Sequence, residues 1–366
     1  MVAKAQALVL EGPRRMVPVE LDLPEVRDDD AVLRVEACGL CGTDHELFTG
    51  ELAWPTYGFV PGHETVGVIE EIGPLAAKRW GVKRGDRVAV ETFQSCRACA
   101  RCLAGDYKKC ERHGAAEMYG FISASRAPGL WGGYATHHYL APDSMVLPMA
   151  ADIDPVVATF FNPLGGGFKW AAEVGEIQPG DRVAVLGPGV RGLSALIAAK
   201  EAGAAFVMVT GFGARDRGRL EFARRFGADL VVDVAQEDPV AAFTSASGSL
   251  ADLIVDVTAN SPAALMQAMR LARVGGRIVI VGVRGKGEVP GFEPDLILTK
   301  ELRIQGTMGV DVRAYRRALE VLASGRYPID ELPRRVASLA GVGELLSVMA
   351  GEGGSEPPVH AVLVPG

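Results

Sequence analysis

The chain has 366 residues, a hydrophobic content of 48%, a charged content of 23% and a formal net charge of -7 at pH 7. It is too long for one ordinary hydrophobic core, so we expect a globular protein of two domains. The acidic balance and the lack of a long basic run argue against nucleic acid as a partner.

The sequence predicts neither a signal peptide nor a membrane span. Met1–Leu10 has no long apolar region followed by a cleavage pattern. The most apolar stretch, Leu193–Val209, is interrupted by Lys200 and Glu201, which favours a helix followed by a strand. Four of the six cysteines lie within fifteen residues, which is typical of metal binding in a reducing compartment rather than of disulfides. We therefore expect a cytoplasmic protein with no membrane partner.

Residues 1–160 have the pattern of a compact, mostly β domain. Short β-like runs alternate with Gly, Pro and Asp turns, as at Ala31–Val35, Thr65–Ile69 and Arg87–Val90. Between the first two runs lie Cys41-Gly42-Thr43-Asp44 and Gly62-His63-Glu64. Thiolate and imidazole are donors that suit zinc, and a catalytic zinc needs three protein ligands and one open position. Cys41 and His63 therefore predict a catalytic zinc site.

A second group of cysteines follows, with the spacing C-x2-C-x2-C-x7-C. Four thiolates close a tetrahedral shell and leave no open position, which predicts a structural zinc site. An iron–sulfur cluster or four unrelated thiols are the alternatives. The predicted ligands are Cys96, Cys99, Cys102 and Cys110.

The remaining cysteine and four of the histidines are not predicted to bind metal. Cys38 forms C-x-x-C with Cys41, which allows a redox role, but we expect a small buried residue. The remaining histidines lack ligand spacing, and we expect them on the surface or hydrogen-bonded; they are His113, His137, His138 and His360.

From about residue 165 to 305 the pattern changes to alternating strand and helix, which predicts a doubly wound dinucleotide-binding sheet. The predicted strands are Arg182–Leu186, Ala205–Val209, Asp229–Val232, Leu253–Val257, Arg277–Val281 and Arg303–Gly306. The helices predicted between them are Leu193–Ala202, Arg219–Phe226 and Ala263–Ala272. Beyond Gly306 the alternation stops, with one helix at Tyr315–Ala323 and a β-like terminus at His360–Val364.

The first strand of this region runs into a G-x-G-x-x-G loop that opens a helix. Gly187 permits the tight turn, Gly189 lets the backbone approach a pyrophosphate, and Gly192 lets helix and strand pack closely. This context favours a dinucleotide over an ordinary glycine-rich turn. The predicted cofactor-binding residues are Gly187, Gly189, Val190, Arg191, Gly192, Gly211, Arg215 and Val281.

The end of the second strand bears on the choice between NAD and NADP. The acid that would bind the NAD ribose is missing, and Gly211 leaves room for a 2′-phosphate. Arg215, Arg217 or Arg219 can pair with that phosphate, which favours NADP. Two alternatives stay open: the segment is longer than the common form, so Asp216 can serve as a ribose acceptor, or the arginines are simply solvated.

These motifs together resemble the zinc-dependent alcohol dehydrogenases of the medium-chain dehydrogenase/reductase family, and the resemblance runs essentially from end to end. It implies an α/β protein with a mostly β, GroES-like catalytic domain of residues 1–160 and 306–366. A Rossmann cofactor domain of residues 161–305 is inserted in it, and the resemblance implies an active site in the cleft between the two.

The resemblance also implies a ligand set for the catalytic zinc. Cys41 and His63 match its first two ligands, and Glu64 matches an acid that can exchange as a ligand. The third ligand is Cys, Glu or Asp in the family, where this chain has Asn162. A neutral amide oxygen is a poorer donor, so either Glu64 completes the shell, or Asn162 binds weakly, or the metal is easily lost.

Three residues after Cys41 match further positions of the family. Thr43 matches the hydroxyl that hydrogen-bonds the substrate oxygen, and Asp44 matches the carboxylate that orients the site. His45 lies one residue before the position of a proton-relay histidine in some members.

The function implied is hydride transfer between an alcohol carbon and NAD(P), in a homodimer or homotetramer that acts on a small alcohol or ketone. Trp54, Tyr57, Phe93 and Tyr119 either line the cleft, which would favour an apolar substrate, or pack in the core. A zinc-free quinone or enoyl reductase of the same superfamily and a catalytically silent NADPH-binding protein are the alternatives.

Overall fold

The structure, a computed structural model, describes residues 3–52, 54–283, 288–352 and 357–366. It divides into two compact units. The first comprises Met1–Asn162, Leu322–Ser324 and Ile329–Gly366, and the second comprises Pro163–Val321 and Gly325–Pro328. The domain boundaries at residues 160 and 306 stay predictions. Among the residues that the structure describes, none of the helices combines the length and apolar character needed to cross a membrane.

The first unit contains a two-stranded and a larger sheet. Its strands are β1 (Lys4–Gly12), β2 (Arg15–Asp22), β3 (Ala31–Leu40), β4 (Glu64–Ile72), β5 (Arg87–Val90), β6 (His137–Leu140), β7 (Val146–Pro148), β14 (Arg334–Ala337) and β15 (His360–Leu363). Its helices are α1 (Gly42–Thr49), α2 (Pro74–Trp80), α3 (Ala100–Leu103), α4 (Pro155–Ala158) and α12 (Val342–Met349), while α5 (Phe161–Gly167) begins in it.

The larger sheet has the strand order β14-β15-β3-β4-β5-β7, with β6 paired to β3. Strands β3 and β4 are antiparallel, and Gly39 lies opposite Glu64 in their register. Because β3 ends at Leu40 and β4 begins at Glu64, Cys41 and His63 leave the same end of this strand pair side by side. The residues predicted to bind the catalytic metal are therefore brought together by the register of one strand pair.

The second unit is a parallel sheet with crossover helices. Its strands are β8 (Arg182–Leu186), β9 (Phe206–Gly211), β10 (Leu230–Asp233), β11 (Ala251–Asp256), β12 (Ala272–Ile280) and β13 (Arg303–Gly306). Its helices are α6 (Val190–Glu201), α7 (Gly213–Arg225), α8 (Pro239–Ser247), α9 (Ala263–Leu271) and α10 (Asp295–Thr299), with most of α11 (Val312–Ser324). The strand order is β10-β9-β8-β11-β12-β13, which confirms the doubly wound Rossmann fold.

Helix α7 corrects one expectation. It begins at Gly213 instead of Arg219, so the arginine-rich segment is helical and is not a long loop. Two backbone N–H groups at its start find side-chain acceptors: Phe212 donates to Asp216 Oδ2 over 2.9 Å and Gly213 to Asp233 Oδ1 over 2.7 Å. These tertiary contacts stabilise a first turn that has too few apolar residues to show helical periodicity.

Two histidines differ from the expectation that they would be exposed or hydrogen-bonded. His138 in β6 is 0% exposed and His360 in β15 is 3% exposed. Their ring nitrogens have no hydrogen-bond partner among the described residues, and the rings pack edge-on against Tyr119 and Phe160. Burial lowers the pKa of each imidazole to about 3, so both are neutral at pH 7.

This burial predicts acid lability. An unfolded histidine gains a proton below its ordinary pKa of 6.5, whereas native His138 stays neutral down to about pH 3. The unfolded state therefore binds more protons throughout that window, and stability falls as the pH falls. At pH 5 we expect His138 alone to cost about 2 kcal/mol relative to pH 7.5.

Urea unfolding at pH 7.5 and pH 5 tests this. His138→Leu should lose less stability on acidification than the parent, by about that amount. His137→Leu is the matched control, because its ring lies on the same strand but contacts Thr136 and Glu70. Equal acid sensitivity in the parent and His138→Leu would contradict the prediction.

Candidate functional site

Three side chains of the first unit converge at the end of the β3–β4 pair. One ligand atom each from Cys41, Asp44 and His63 lies within 4.8 Å of the others. Cys41 precedes α1, and its backbone N–H donates to Asp44 Oδ2 over 2.9 Å, which fixes the carboxylate beneath the first turn. Asp44 Oδ1 lies 3.7 Å from His63 Nδ1, beyond hydrogen-bond range.

The geometry of this cluster fits a zinc ion. Cys41 Sγ lies 3.4 Å from His63 Nε2, and ligands at ordinary Zn–S and Zn–N distances lie about 3.6 Å apart on a tetrahedral ion. Asp44 is only 2% exposed, and its Oδ1 and His63 Nδ1 have no hydrogen-bond partner among the described residues. A buried carboxylate beside a thiolate is costly unless a cation offsets it, which is what a metal here would do.

Glu64 and Asn162, the two candidates for the third metal ligand, differ in burial and in the element that carries them. Glu64 is 4% exposed, and its Oε2 lies 2.2 Å from the point where a Cβ on Gly39 would stand, so a larger residue at 39 would displace it. Glu64 is not among the side chains whose ligand atoms converge on Cys41. Asn162 is half-buried in α5, with its backbone N–H donating to Thr159 O over 3.4 Å. Their roles as ligands stay predictions.

Thr43 and His45 lie on α1 two positions apart, so their side chains leave the helix in roughly opposite directions. His45 Nε2 lies 3.9 Å from Glu352 Oε1, and Glu352 also pairs with Arg14. The relay role of His45 stays a prediction, and the acid nearest to it in these contacts is Glu352.

An aromatic wall adjoins the cluster. The Phe121 ring lies 5.5 Å from the His63 ring, and Trp54, which is 41% exposed, stacks on Phe121 at 5.5 Å. Tyr119 and Phe93 are buried in the core. Sequence reasoning missed Phe121, because nothing local in the sequence pairs it with His63, 58 positions earlier, and the aromatic content of its neighbourhood was the only signal.

The four-cysteine cluster is also assembled. One sulfur each from Cys96, Cys99, Cys102 and Cys110 lies within 4.8 Å of the others. Cys96 Sγ and Cys102 Sγ are 3.8 Å apart, the spacing of two sulfurs bound at about 2.3 Å to one tetrahedral zinc.

The surroundings of two of these cysteines change the pKa of their thiols in opposite directions. At Cys110, burial alone would raise the pKa, but N–H donors from Cys96, His113 and Arg112 lower it to about 6. Burial raises the pKa of Cys102 to about 11, so that thiol keeps its proton at neutral pH unless a cation binds. Holding all four as thiolates therefore requires a metal, as the structural zinc interpretation expects.

The glycine-rich loop of the second unit has the steric pattern of a pyrophosphate site. Gly187 has φ +103°, a conformation that L side chains rarely adopt. A Cβ on Gly192 would stand 1.8 Å from Gly187 O, whereas a Cβ on Gly189 would have no protein atom within 4 Å. Gly192 is thus required by packing, and Gly189 leaves open space at the N-terminus of α6, where Val190 and Arg191 begin the helix.

The end of β9 explains the missing acid. A Cβ on Gly211 would lie 3.0 Å from Asp216 Cβ, 3.1 Å from Leu220 Cγ and 3.1 Å from Pro188 Cγ, so there is little space for a larger side chain. Asp216 is 2% exposed, and its Oδ1 lies 3.3 Å from Arg219 Nη1.

Arg215 and Val281 complete the predicted cofactor contacts. The Arg215 side chain is 66% exposed, and its Nε lies 3.5 Å from Asp216 Oδ1, so most of its guanidinium faces solvent. Val281 follows β12, and its N–H donates to Asp256 O over 2.9 Å.

Both halves of the chain match known protein families. Residues 27–151 match the alcohol dehydrogenase GroES-like domain, and residues 191–324 match the zinc-binding dehydrogenase domain. The chain is 61% identical over 364 residues to "Probable alcohol dehydrogenase adh" of Mycobacterium tuberculosis, covering 99% of each chain. It is 31% identical over 341 residues to the erythritol/L-threitol dehydrogenase of Mycolicibacterium smegmatis, covering 90% of each.

Solved structures agree with these relatives. A zinc-binding dehydrogenase from Sinorhizobium meliloti 1021, solved bound to NADP, superposes with a TM-score of 0.83 at 29% identity, covering 99% of this chain and 100% of that one. The zinc-free reductase and the silent binding protein are not favoured by these likenesses. The protein is an alcohol dehydrogenase that transfers a hydride between an alcohol carbon and a nicotinamide cofactor, and the chain belongs to the zinc-type medium-chain alcohol dehydrogenases.

Proposed function

We propose that this dehydrogenase uses two zinc ions, a catalytic one held by Cys41 and His63 and a structural one held by the four-cysteine cluster. The observation that carries the proposal is the 3.4 Å approach of Cys41 Sγ to His63 Nε2, with the buried Asp44 carboxylate beside them. A bound zinc supplies Lewis acidity that lowers the pKa of an alcohol oxygen, and a bound nicotinamide supplies the hydride acceptor.

The residues around the proposed metal position have separate proposed roles in metal binding, positioning and proton transfer. Cys41 and His63 hold the ion, and Asp44 fixes the first turn of α1 and faces the other nitrogen of the His63 ring. Thr43 is proposed to hydrogen-bond the substrate oxygen and to pass its proton outward. Asn162 or a moved Glu64 is proposed to complete the metal shell, with Asn162 adding no charge.

The wall formed by Trp54 and Phe121 favours an apolar or aromatic alcohol. The Phe121 ring lies beside His63 in the first unit, and Trp54, stacked on Phe121, keeps 41% of its surface exposed for contact. An aromatic face excludes water from the carbinol carbon and buries an apolar substituent. Because one relative is an erythritol/L-threitol dehydrogenase, we propose polyols as the competing substrate class to assay.

For the cofactor we propose NADP. Asp216 is engaged by the Phe212 N–H group and by Arg219, so it is poorly available as a ribose acceptor. The Arg215 side chain is 66% exposed, and its contact with Asp216 at 3.5 Å is one that it would leave to bind a 2′-phosphate. The NADP-bound relative from Sinorhizobium meliloti supports the same choice.

We further propose a cytoplasmic homodimer or homotetramer. The outer strand β13 pairs only with β12 in the described part of the sheet, and Arg303, Gln305 and Gly306 in it are exposed. An exposed edge strand offers unpaired backbone groups to a second chain. Reduced cysteines at both metal positions fit a reducing compartment.

The metal assignment predicts the behaviour of Cys41→Ser. The purified parent should carry two zinc ions per chain, and Cys41→Ser should carry one and lose turnover, because the thiolate holds the catalytic ion. Dinucleotide binding should remain, since Gly187, Gly189 and Gly192 lie in the other unit. Metal analysis with an alcohol oxidation assay measures both.

The matched control is Cys38→Ala. Cys38 lies three positions earlier, is fully buried and contacts Gly39 O and Thr65 Oγ1, so its loss should leave two zinc ions in place. Parental turnover by Cys41→Ser, or an iron–sulfur absorbance in the parent, would refute the assignment.

The glycine loop predicts opposite effects of two alanines. Gly189→Ala should fold with nearly parental stability but bind the dinucleotide at least tenfold more weakly, because its methyl group enters the open space kept for the pyrophosphate. Gly192→Ala should instead lower the melting temperature, because its methyl group meets Gly187 O at 1.8 Å. Calorimetry and cofactor titration separate the two; equal stability of both variants would contradict the steric argument.

Cofactor choice predicts the effect of Arg215→Ala. A charge-assisted arginine–phosphate contact contributes roughly 1.5 to 3 kcal/mol, so the variant should bind NADP about ten to a hundredfold more weakly and NAD almost unchanged. Arg217→Ala is the control, because position 217 lies on the opposite side of α7. A parent enzyme that prefers NAD tenfold would rule out the NADP proposal and make Asp216 the candidate ribose acceptor.

A further inference from the structure

Two adjacent residues after β5, Glu91 and Thr92, connect the two proposed zinc sites of the first unit by hydrogen bonds. Both side chains are buried. Glu91 contacts the segment that carries the four cysteines, here called the cysteine lobe (residues 96–110), and Thr92 contacts the backbone of His63. Because the two residues share one rigid peptide unit, a shift at one of them is passed to the other.

The contact with the cysteine lobe is a hydrogen bond between two buried side chains. Tyr107 lies in the lobe between the third and fourth cysteines, and its hydroxyl donates to Glu91 Oε2 over 2.6 Å. Glu91 is 0% exposed, and its Oε1 accepts from the Phe93 N–H group over 3.2 Å. A buried carboxylate is costly unless hydrogen bonds satisfy its oxygens, so the position of Glu91 depends in part on that of Tyr107.

The contact with the proposed catalytic site is made by Thr92. Its Oγ1 donates to His63 O over 3.0 Å. Its backbone carbonyl accepts from the Tyr119 N–H group over 2.9 Å, two residues before Phe121, whose ring lies 5.5 Å from that of His63. Thr92 therefore helps to fix both the backbone of the proposed metal ligand and the segment that carries the aromatic wall.

The cysteine lobe depends on metal for its order. Between its first and last cysteines the regular elements are α3 and a single turn at Tyr107–Lys109. A structural zinc contributes folding energy outright to a lobe of this kind. The metal-bound lobe presents Tyr107 to Glu91, and a lobe that loosens without metal withdraws this donor from a buried carboxylate. Contiguous contacts to an element with two such states can carry energetic coupling between sites.

We propose that the Tyr107–Glu91 hydrogen bond couples the two proposed zinc sites, so that metal in the cysteine lobe tightens metal binding at Cys41 and His63. Tyr107 and Glu91 are positioning residues, since they act on His63 through Thr92. The inference rests on the proposed function in that zinc occupies both sites. Coupling between two binding sites is reciprocal, so zinc at Cys41 and His63 also tightens zinc binding in the lobe.

The test is Tyr107→Phe, which removes only the hydroxyl. Chelator competition measures zinc affinity at the Cys41 site, and Cys41→Ser identifies which of the two ions is followed. We expect a dissociation constant for this zinc roughly tenfold higher than in the parent. An unchanged dissociation constant would overturn the proposal.

Tyr139→Phe is the matched control. Tyr139 is a buried tyrosine of the same unit, and its hydroxyl donates to the buried Asp30 carboxylate over 2.8 Å. Asp30 precedes β3 at the end opposite Cys41, so this variant should lose thermal stability without a change in zinc affinity at the Cys41 site. An equal loss of zinc affinity in both variants would mark the Tyr107 effect as general destabilisation and overturn the inference.

Thr92→Val tests the route from the lobe to His63. Valine keeps the shape of threonine and removes the hydroxyl that donates to His63 O. If both residues act along one chain of contacts, the double variant Tyr107→Phe/Thr92→Val should weaken zinc binding no more than the larger single effect. Losses that add would reveal two independent effects and overturn the coupling.

Hydrogen exchange of the parent decides the question even if the variants fail to fold. A chelator removes zinc from the Cys41 site, and metal analysis verifies that the lobe keeps its ion. Amide exchange at residues 107–110 should then become faster, because the coupling is reciprocal. A parent that carries zinc only in the lobe would refute the catalytic metal and the coupling together, whereas two zinc ions with unchanged exchange at residues 107–110 would refute the coupling alone.

Discussion

The antiparallel pairing of β3 with β4 is the constraint on which the reactive centre depends. Gly39 opposite Glu64 sets the register, and a slip of one residue would turn Cys38 and Glu64 to the other face. A larger residue at 39 would displace the Glu64 carboxylate, whose Oε2 lies 2.2 Å from the point where a Cβ on Gly39 would stand. From this pairing it follows that Cys41 and His63, 22 positions apart in the sequence, lie 3.4 Å apart at their ligand atoms. The first turn of α1 then places Asp44 beneath both, so strand register and helix capping together fix three groups.

In the second unit, too, a glycine lets two segments of the chain approach closely, here at the proposed pyrophosphate site. Gly192 lies so near Gly187 O that β8 and α6 can meet only without a side chain there. Gly189, on the outer side of the same turn, faces open space at the N-terminus of α6. At the end of β9, Pro188, Asp216 and Leu220 lie 3.0 to 3.1 Å from the point where a Cβ on Gly211 would stand, so an acid at that position would have to displace them. We therefore expect helix α7 to contribute to cofactor recognition, since Arg215 is exposed there and Asp216 accepts from the Phe212 N–H group.

The elements that the sequence predicted well are those with local signals. The β8 bounds at Arg182–Leu186 and the glycine loop follow from an apolar run and a spacing within ten residues, and the four cysteines lie close enough in sequence to predict their cluster. The start of α7 was predicted six residues late, because Asp216 and Asp233 stabilise it through contacts that no periodicity records. Phe121 was not predicted at all, since its place beside His63 depends on strand pairing and loop packing between distant segments. The burial of His138 and His360 without hydrogen-bond partners among the described residues was missed for the same reason.

The balance of charge around the proposed catalytic metal follows from these placements. Asn162 contributes no charge where the family has a thiolate or carboxylate, so Cys41 is the one anion among the first three proposed ligands. Two carboxylates nearby, Asp44 at 2% exposure and Glu64 at 4%, are buried in the same unit and add negative potential. A dication is attracted by such charges at low dielectric, while its own positive charge is neutralised less than by a bound carboxylate. If Asn162 is the third ligand, as proposed, we expect the metal to be held less tightly and to polarise the substrate oxygen more strongly, and the Asp44 carboxylate beside the His63 ring then contributes more to retention of the ion.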